Sequence, residues 1–209
     1  INGIHYIDWD GQEFLFDQGM GYYSVKRFHR KLFERIAGKI PYLRIMGATL
    51  SEGSWHYQSV WNVGGGKNIY DILTRKWGIQ GKDIRNVAYS NYFPSTFGAN
   101  VGIDSSSTVQ QYENLQAISV GTGVTYMMML NQNQVEKCPS KYAIFSAIRT
   151  WENARAANAF SGMLKKELAD PAKYFHLEQV NSDNWNLYTT NASGGNPVLY
   201  QTLSRAAGY

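Results

Sequence analysis

The stretch "IHYIDWDGQEFLFDQGMGYYSVKRFHRKLFERIAGKIPYLRIMGA", residues 4–48, decides the fold. Residues 4–10 carry the apolar-aromatic pattern of a short strand that ends at Gly11. Over 22–37, Val25, Phe28, Leu32 and Ile36 fall on one stripe at helical spacing, with Lys26, Arg27, Arg30, Lys31 and Glu34 mostly elsewhere. Gly38 and then Pro41 stop that helix. Residues 42–48 read as a second short buried strand. A strand, a helix and a strand in this order predict a β-α-β unit with parallel strands.

The rest of the chain extends the pattern. A polar and aromatic connection over 49–68 precedes a predicted helix near 69–77. Residues 85–94 read as a strand closed by Pro94, and a glycine- and serine-rich loop follows it. A helix is expected over 108–119 with Ser107 as its N-cap. Residues 124–130 form an apolar strand. Ser140 starts a long helix with Ile144, Ile148 and Trp151 on its buried stripe, and a shorter helix, "GMLKKELA", ends at Asp170-Pro171. The tail reads as two strands around an Asn-Ser-Asp-Asn turn. The expected fold class is therefore α/β: parallel β/α units resembling half of a TIM barrel, then a C-terminal helix and a β-hairpin. Residues 1–170 would form the half-barrel, and 171–209 a hairpin tail that could begin a β-sandwich.

Loop lengths place the function. The long segments, 11–21, 49–68 and 94–107, follow strands; the short ones, 38–41, 78–84 and 120–123, lead back into them. Elaborated loops thus gather at the C-terminal ends of the strands, where barrels and open α/β sheets bind ligands. A flavodoxin-like open sheet is the rival. Against it, no glycine-rich loop follows the first strand to open a helix, and "NVGGGKN" (62–68) lacks phosphate-loop spacing.

Composition narrows the ligand. Tyr (15), Trp (6) and Gly (20) are plentiful, and charged residues make up only 17%. Such a surface suits neutral polar ligands, sugars above all, whose C–H faces pack on aromatic rings. The net charge of +4 is too small to argue for binding a phosphate backbone, so no nucleic-acid partner is expected. The run Lys26-Arg27-Phe28-His29-Arg30-Lys31 reads as the solvated face of a helix. One cysteine, Cys138, excludes an internal disulfide, and it reads as buried and inert. No stretch approaches 18 apolar residues, so no membrane span is expected. Asn191-Ala192-Ser193 fits a glycosylation sequon.

Three motifs carry a family resemblance: "YIDWDGQE", an acidic strand end followed by glycine; "SNYFPSTFG", a polar-aromatic strand end; and "SAIRTWENARAANAF", a helix that gives way to a hairpin. Together they resemble the C-terminal half of the (β/α)8 barrels of carbohydrate-active enzymes, broadly the α-galactosidase-like and related glycoside hydrolases. The resemblance implies that these strands are the fifth to eighth of a barrel. It also implies that the missing N-terminal half is a partner, and that the protein is secreted or periplasmic and degrades a polysaccharide or oligosaccharide.

Hydrolysis of a glycosidic bond usually needs two carboxyl groups flanking it. In the first strand Tyr6, Asp8 and Asp10 alternate with Ile7 and Trp9. Asp8 is expected to be held inside by Arg44 of the neighbouring strand. Asp10, nearest the open mouth, and Glu13, just above it, are candidate catalytic groups, with Glu52 beyond the second strand as their partner. Asp17 belongs to the turn into the helix, and Asp104 is a weaker loop carboxylate. Trp9, Trp55, His56, Tyr57, Asn91 and Tyr92 are the expected substrate contacts. No cofactor and no metal are expected; a divalent ion on Asp8, Asp10 and Glu13 is the minor alternative. Two other functions stay open: a non-catalytic carbohydrate-binding or scaffold domain, and a polysaccharide lyase using His56, Tyr57 and Arg44.

Overall fold

The computed structural model describes residues 6–9, 19, 21–40, 42–47, 56, 57, 59–62 and 95–208, with the backbone alone at 8, 9, 46, 47, 60–62, 95–100 and 127. The protein is a mixed α/β chain with a small parallel sheet and an antiparallel three-stranded sheet. The opening unit folds as its pattern dictates: β1 (Tyr6–Trp9), α1 (Gly21–Ile36) and β2 (Arg44–Gly47) follow in order. Val25 is fully buried on the expected stripe of α1. So is His29, which sits inside the basic run. Its Nδ1 donates to the Val25 carbonyl at 3.0 Å, and burial pulls its pKa below the ordinary value.

β1 and β2 pair in parallel, with Tyr6 opposite Arg44, Asp8 opposite Met46 and Trp9 opposite Gly47. Arg44, the expected partner of Asp8, is thus level with Tyr6, and it is exposed. Two more strands lie where loops were expected: β3 (Val60–Asn62) and β4 (Ser95–Val101). The helix predicted near 69–77 and the strand predicted over 85–94 lie outside the described residues.

β5 (Thr125–Met128) completes the parallel sheet, whose order is β1-β2-β3-β4-β5. Following the register across it, Tyr6, Arg44 and Thr125 share one face and are exposed. Ile7, Ile45 and Tyr126 share the other, where Ile45 is buried and Tyr126 packs on the core. No closed barrel is formed among the described strands.

α2 (Val109–Thr122) joins β4 to β5. Its N-cap is Thr108, not Ser107: Thr108 and Gln111 form a reciprocal capping box. Ser107 instead bonds to Asp104, which accepts from Ser106 N–H at 2.8 Å and from Ser106 Oγ at 2.7 Å. These donors hold the Asp104 carboxyl below its usual range and explain it as a turn residue. Gly123 ends α2 in the left-handed conformation at φ 72°, which admits the sharp turn into β5.

After α3 (Gln132–Glu136), α4 (Lys141–Ala156) buries Ile144 and Trp151, as its periodicity predicts. α5 (Gly162–Leu168) follows, and then the tail. The tail holds three strands where two were expected: β6 (Tyr174–Gln179), β7 (Asn184–Thr190) and β8 (Val198–Ser204), an antiparallel meander. Phe175, Leu177, Trp185, Leu187 and Leu203 face inward, in one core with Ala117 and Val120 of α2, Trp151 of α4 and Leu164 of α5. The meander is thus built onto the helices.

Gly121 sets how closely α2 and α5 meet. A Cβ there would stand 2.4 Å from Ala169 N and 2.7 Å from Lys165 O, both backbone atoms that cannot yield cheaply. Gly121→Ala is expected to cost about 2–3 kcal/mol, read as a lower urea midpoint at unchanged m-value. A midpoint equal to wild type would contradict this packing.

Candidate functional site

Asp10, Glu13, Glu52, Trp55, Asn91 and Tyr92 lie outside the described residues. Trp9 ends β1, where its backbone is described opposite Gly47. His56 and Tyr57 form a single short turn. The chain then runs beside β2: Ser59 N–H donates to the Ile45 carbonyl at 2.7 Å, and Ile45 N–H to Ser59 Oγ at 3.4 Å. Tyr57 consequently meets Phe33 of α1, ring centroids 5.8 Å apart, and His56 lies 6.1 Å from Tyr57.

Tyr57 thereby closes one wall of a groove of 410 Å³ with Tyr23, Lys26, Arg27, Arg30 and Lys31. The sequence read the basic run and Tyr57 as unrelated; the backbone brings them together. Glu34 pairs with Arg30 at 2.7 Å and with Lys31 at 3.5 Å. The hydrogen bond from Arg30 holds Glu34 below its ordinary range and raises Arg30 in turn.

A second polar constellation is internal. Gln110, Glu113, Gln116 and Ser119 recur every third residue along α2, and all four are buried. Gln110 Nε2 donates to the Phe175 carbonyl at 3.1 Å, and its Oε1 accepts from Thr190 at 3.1 Å. Glu113 Oε1 accepts from Leu177 N–H at 3.1 Å and from the Trp151 indole at 3.3 Å. Both Glu113 oxygens lie 3.0 Å from His176 Nδ1. Beyond His176 the row continues outward, with the Tyr188 ring 5.8 Å away and its hydroxyl donating to Glu178 at 2.9 Å.

A carboxylate that fixes one histidine nitrogen and leaves the other outward can support proton transfer. Here its remaining partners are backbone and buried indole, so the arrangement is first a tie between the meander and α2. The hydrogen bond that His176 donates to Glu113 raises the His176 pKa above the ordinary 6.5. A proton held more tightly in the folded chain stabilises it fully below the unfolded value, and that contribution fades as pH rises through the raised folded value. With its side chain 43% exposed, His176 contributes modestly. The wild-type urea midpoint should therefore fall relative to that of His176→Gln as pH rises from about 6 to about 9. Parallel midpoints across that range would contradict the tie.

Further along α2, Gln116 Nε2 donates to the Tyr126 hydroxyl at 2.9 Å. Arg155 Nη2 donates to Ser119 Oγ at 2.7 Å and pairs with Glu152 at 3.4 Å. These residues line a cleft of 270 Å³ with Met128 and Ile148. Burial pulls the Arg155 guanidinium below its usual range and pushes the Tyr126 hydroxyl up. Nothing in the sequence pattern marked this cleft, because its polar residues come from three elements, α2, β5 and α4, that only the fold brings together.

Cys138 is buried, with its thiol 3.8 Å from the Ser107 carbonyl. Among the described residues no group of three or more His, Cys, Asp or Glu side chains is placed to hold a metal ion, and no helix is long and apolar enough to cross a membrane. No protein-family model, no curated protein and no solved structure matches the chain.

Proposed function

We propose that the parallel sheet is an arc of a (β/α)8 barrel and that the protein acts on carbohydrates as a glycoside hydrolase. The observation that carries this reading is the placement of β1 beside β2. Trp9 and Gly47 end the two strands directly opposite each other. Paired strands lie about 4.8 Å apart, so the segment bearing Asp10 and Glu13 and the segment bearing Glu52 leave the sheet side by side. Glycoside hydrolysis uses a pair of carboxyl groups flanking the scissile bond, and side chains borne just beyond two adjacent strand ends can supply such a pair.

The strand order supports the barrel. It runs in sequence without the reversal that gives doubly wound sheets their binding crevice. The sheet is also covered unequally: Ile45 is buried on one face while Tyr6 and Arg44 on the other are exposed. All-parallel sheets are normally covered on both faces, and in a closed barrel the inward face is covered by the remaining strands.

The test is release of reducing ends from a panel of neutral and acidic polysaccharides and oligosaccharides. Turnover of any member supports hydrolysis. Binding without turnover would replace this reading with a non-catalytic carbohydrate-binding domain, and release of unsaturated ends would replace it with a lyase.

A further inference from the structure

We infer that the groove along α1 binds a uronate-bearing polysaccharide, an inference that rests on the carbohydrate reading above and narrows its substrate class. The groove joins Tyr23, Lys26, Arg27, Arg30, Lys31 and Tyr57. Its carboxylate neighbour on α1, Glu34, is engaged by Arg30 and Lys31. Lys26 and Arg27, one turn earlier, have no carboxylate partner among the described residues. Two cations without a carboxylate partner among the described residues and two tyrosine rings thus share one open channel of 410 Å³. Tyr23 is 58% exposed, so its ring is available to a ligand.

The chemistry fits an acidic sugar chain. Guanidinium and ammonium groups pair with carboxylates, arginine in a two-pronged geometry. Lys26 and Arg30, and Arg27 and Lys31, are four residues apart, about 6 Å along the helix axis, the scale of one pyranose in an extended polymer. Tyr23 and Tyr57 supply ring faces for the sugar's C–H surface. The partial neutralisation by Glu34 leaves a moderate positive field, suited to one charge per sugar more than to a densely sulfated or phosphate-rich chain.

Position adds continuity. In a β/α unit the helix begins where the strand ends, so Tyr23, Lys26 and Arg27 in the first turns of α1 stand on the side from which the segment bearing Asp10 and Glu13 departs. A polymer seated at that mouth would run down α1 toward Tyr57.

The experiment is affinity electrophoresis of the full chain through gels holding polygalacturonate, dextran, a sulfated glycan or single-stranded DNA. Retardation should be strongest with polygalacturonate, absent with dextran, and weakened by added salt. Lys26→Gln with Arg27→Gln should weaken it about tenfold; both side chains are exposed, so folding should be kept, as circular dichroism would check. No retardation by polygalacturonate, retardation unchanged in the double variant, or equal or stronger retardation by the sulfated glycan or DNA would overturn the inference. Retardation that the double variant loses, in a protein that hydrolyses nothing on the panel, leaves this inference standing and removes the hydrolase reading. Turnover of neutral glycans without polygalacturonate binding does the reverse.

Discussion

Glu113→Ala is expected to lower the unfolding free energy by about 3 kcal/mol. The size comes from what the substitution strands. Glu113 is 2% exposed and serves two buried donors, Leu177 N–H and the Trp151 indole, besides His176. Each buried donor left without an acceptor costs about 1–3 kcal/mol. Water cannot easily replace the carboxylate, because Trp151 is fully buried and stacked on Phe160 with centroids 5.7 Å apart. Glu113→Gln keeps one acceptor and should cost about half as much. Urea unfolding of both variants checks the pair. A loss below about 1 kcal/mol in Glu113→Ala would mean that the meander is held by its apolar face alone. The protection of amide Leu177 against hydrogen exchange should fall in the same variant, since its acceptor is gone.

On the proposed hydrolase reading, substitution of the candidate carboxylates carries the other large effect. Asp10→Asn, Glu13→Gln and Glu52→Gln each preserve shape and remove one carboxyl group. Acid–base catalysis by a positioned carboxyl contributes about 10²–10⁴-fold, so turnover should fall by that order in the variants that remove the acid and its partner. Substrate binding should survive, because an amide still accepts and donates hydrogen bonds to sugar hydroxyls. Three acids stand for two roles, and one of the three variants should therefore keep most of its turnover. Unchanged turnover in all three would remove these residues from the chemistry.

Much of the fold is legible in the sequence, for a physical reason that differs by element. α1 and α4 declare themselves through apolar residues at helical spacing, and β6 and β7 through two runs on either side of the Asn181–Asn184 turn. β3 and β4 do not. "VWN" and "STFGANV" have little strand character of their own, and their hydrogen bonds come from neighbours on both sides. Ser107 and Thr108 are equivalent caps by residue type, and each has a glutamine three residues later; what separates them is tertiary, because Gln110 is taken up by the Phe175 carbonyl and Thr190 while Gln111 is left to close the box.

The polar ridge of α2 was the least legible feature. Gln110, Glu113, Gln116 and Ser119 are polar by residue type, yet all are buried and find partners on the surrounding elements: Gln110 on β6 and β7, Glu113 on β6 and α4, Gln116 on β5, Ser119 on α4. Only a helix enclosed from several sides makes such a ridge internal, and enclosure is a tertiary property. The same limit hid the groove on α1. Residues 26–31 are basic in any reading, but the return of the chain beside Ile45, which sets Tyr57 over Phe33, is fixed by two hydrogen bonds distant in sequence.

On the proposed reading, the acidic segments leaving β1 and β2 meet in one cleft. A crystal structure of the protein with a bound oligosaccharide measures this directly, as the separation of the Glu52 carboxyl from those of Asp10 and Glu13. A separation of roughly 5–10 Å across the sugar is expected, the shorter end for retention and the longer for inversion of configuration. Carboxyl groups pointing to opposite sides of the sheet, with the sugar touching none of them, would contradict it.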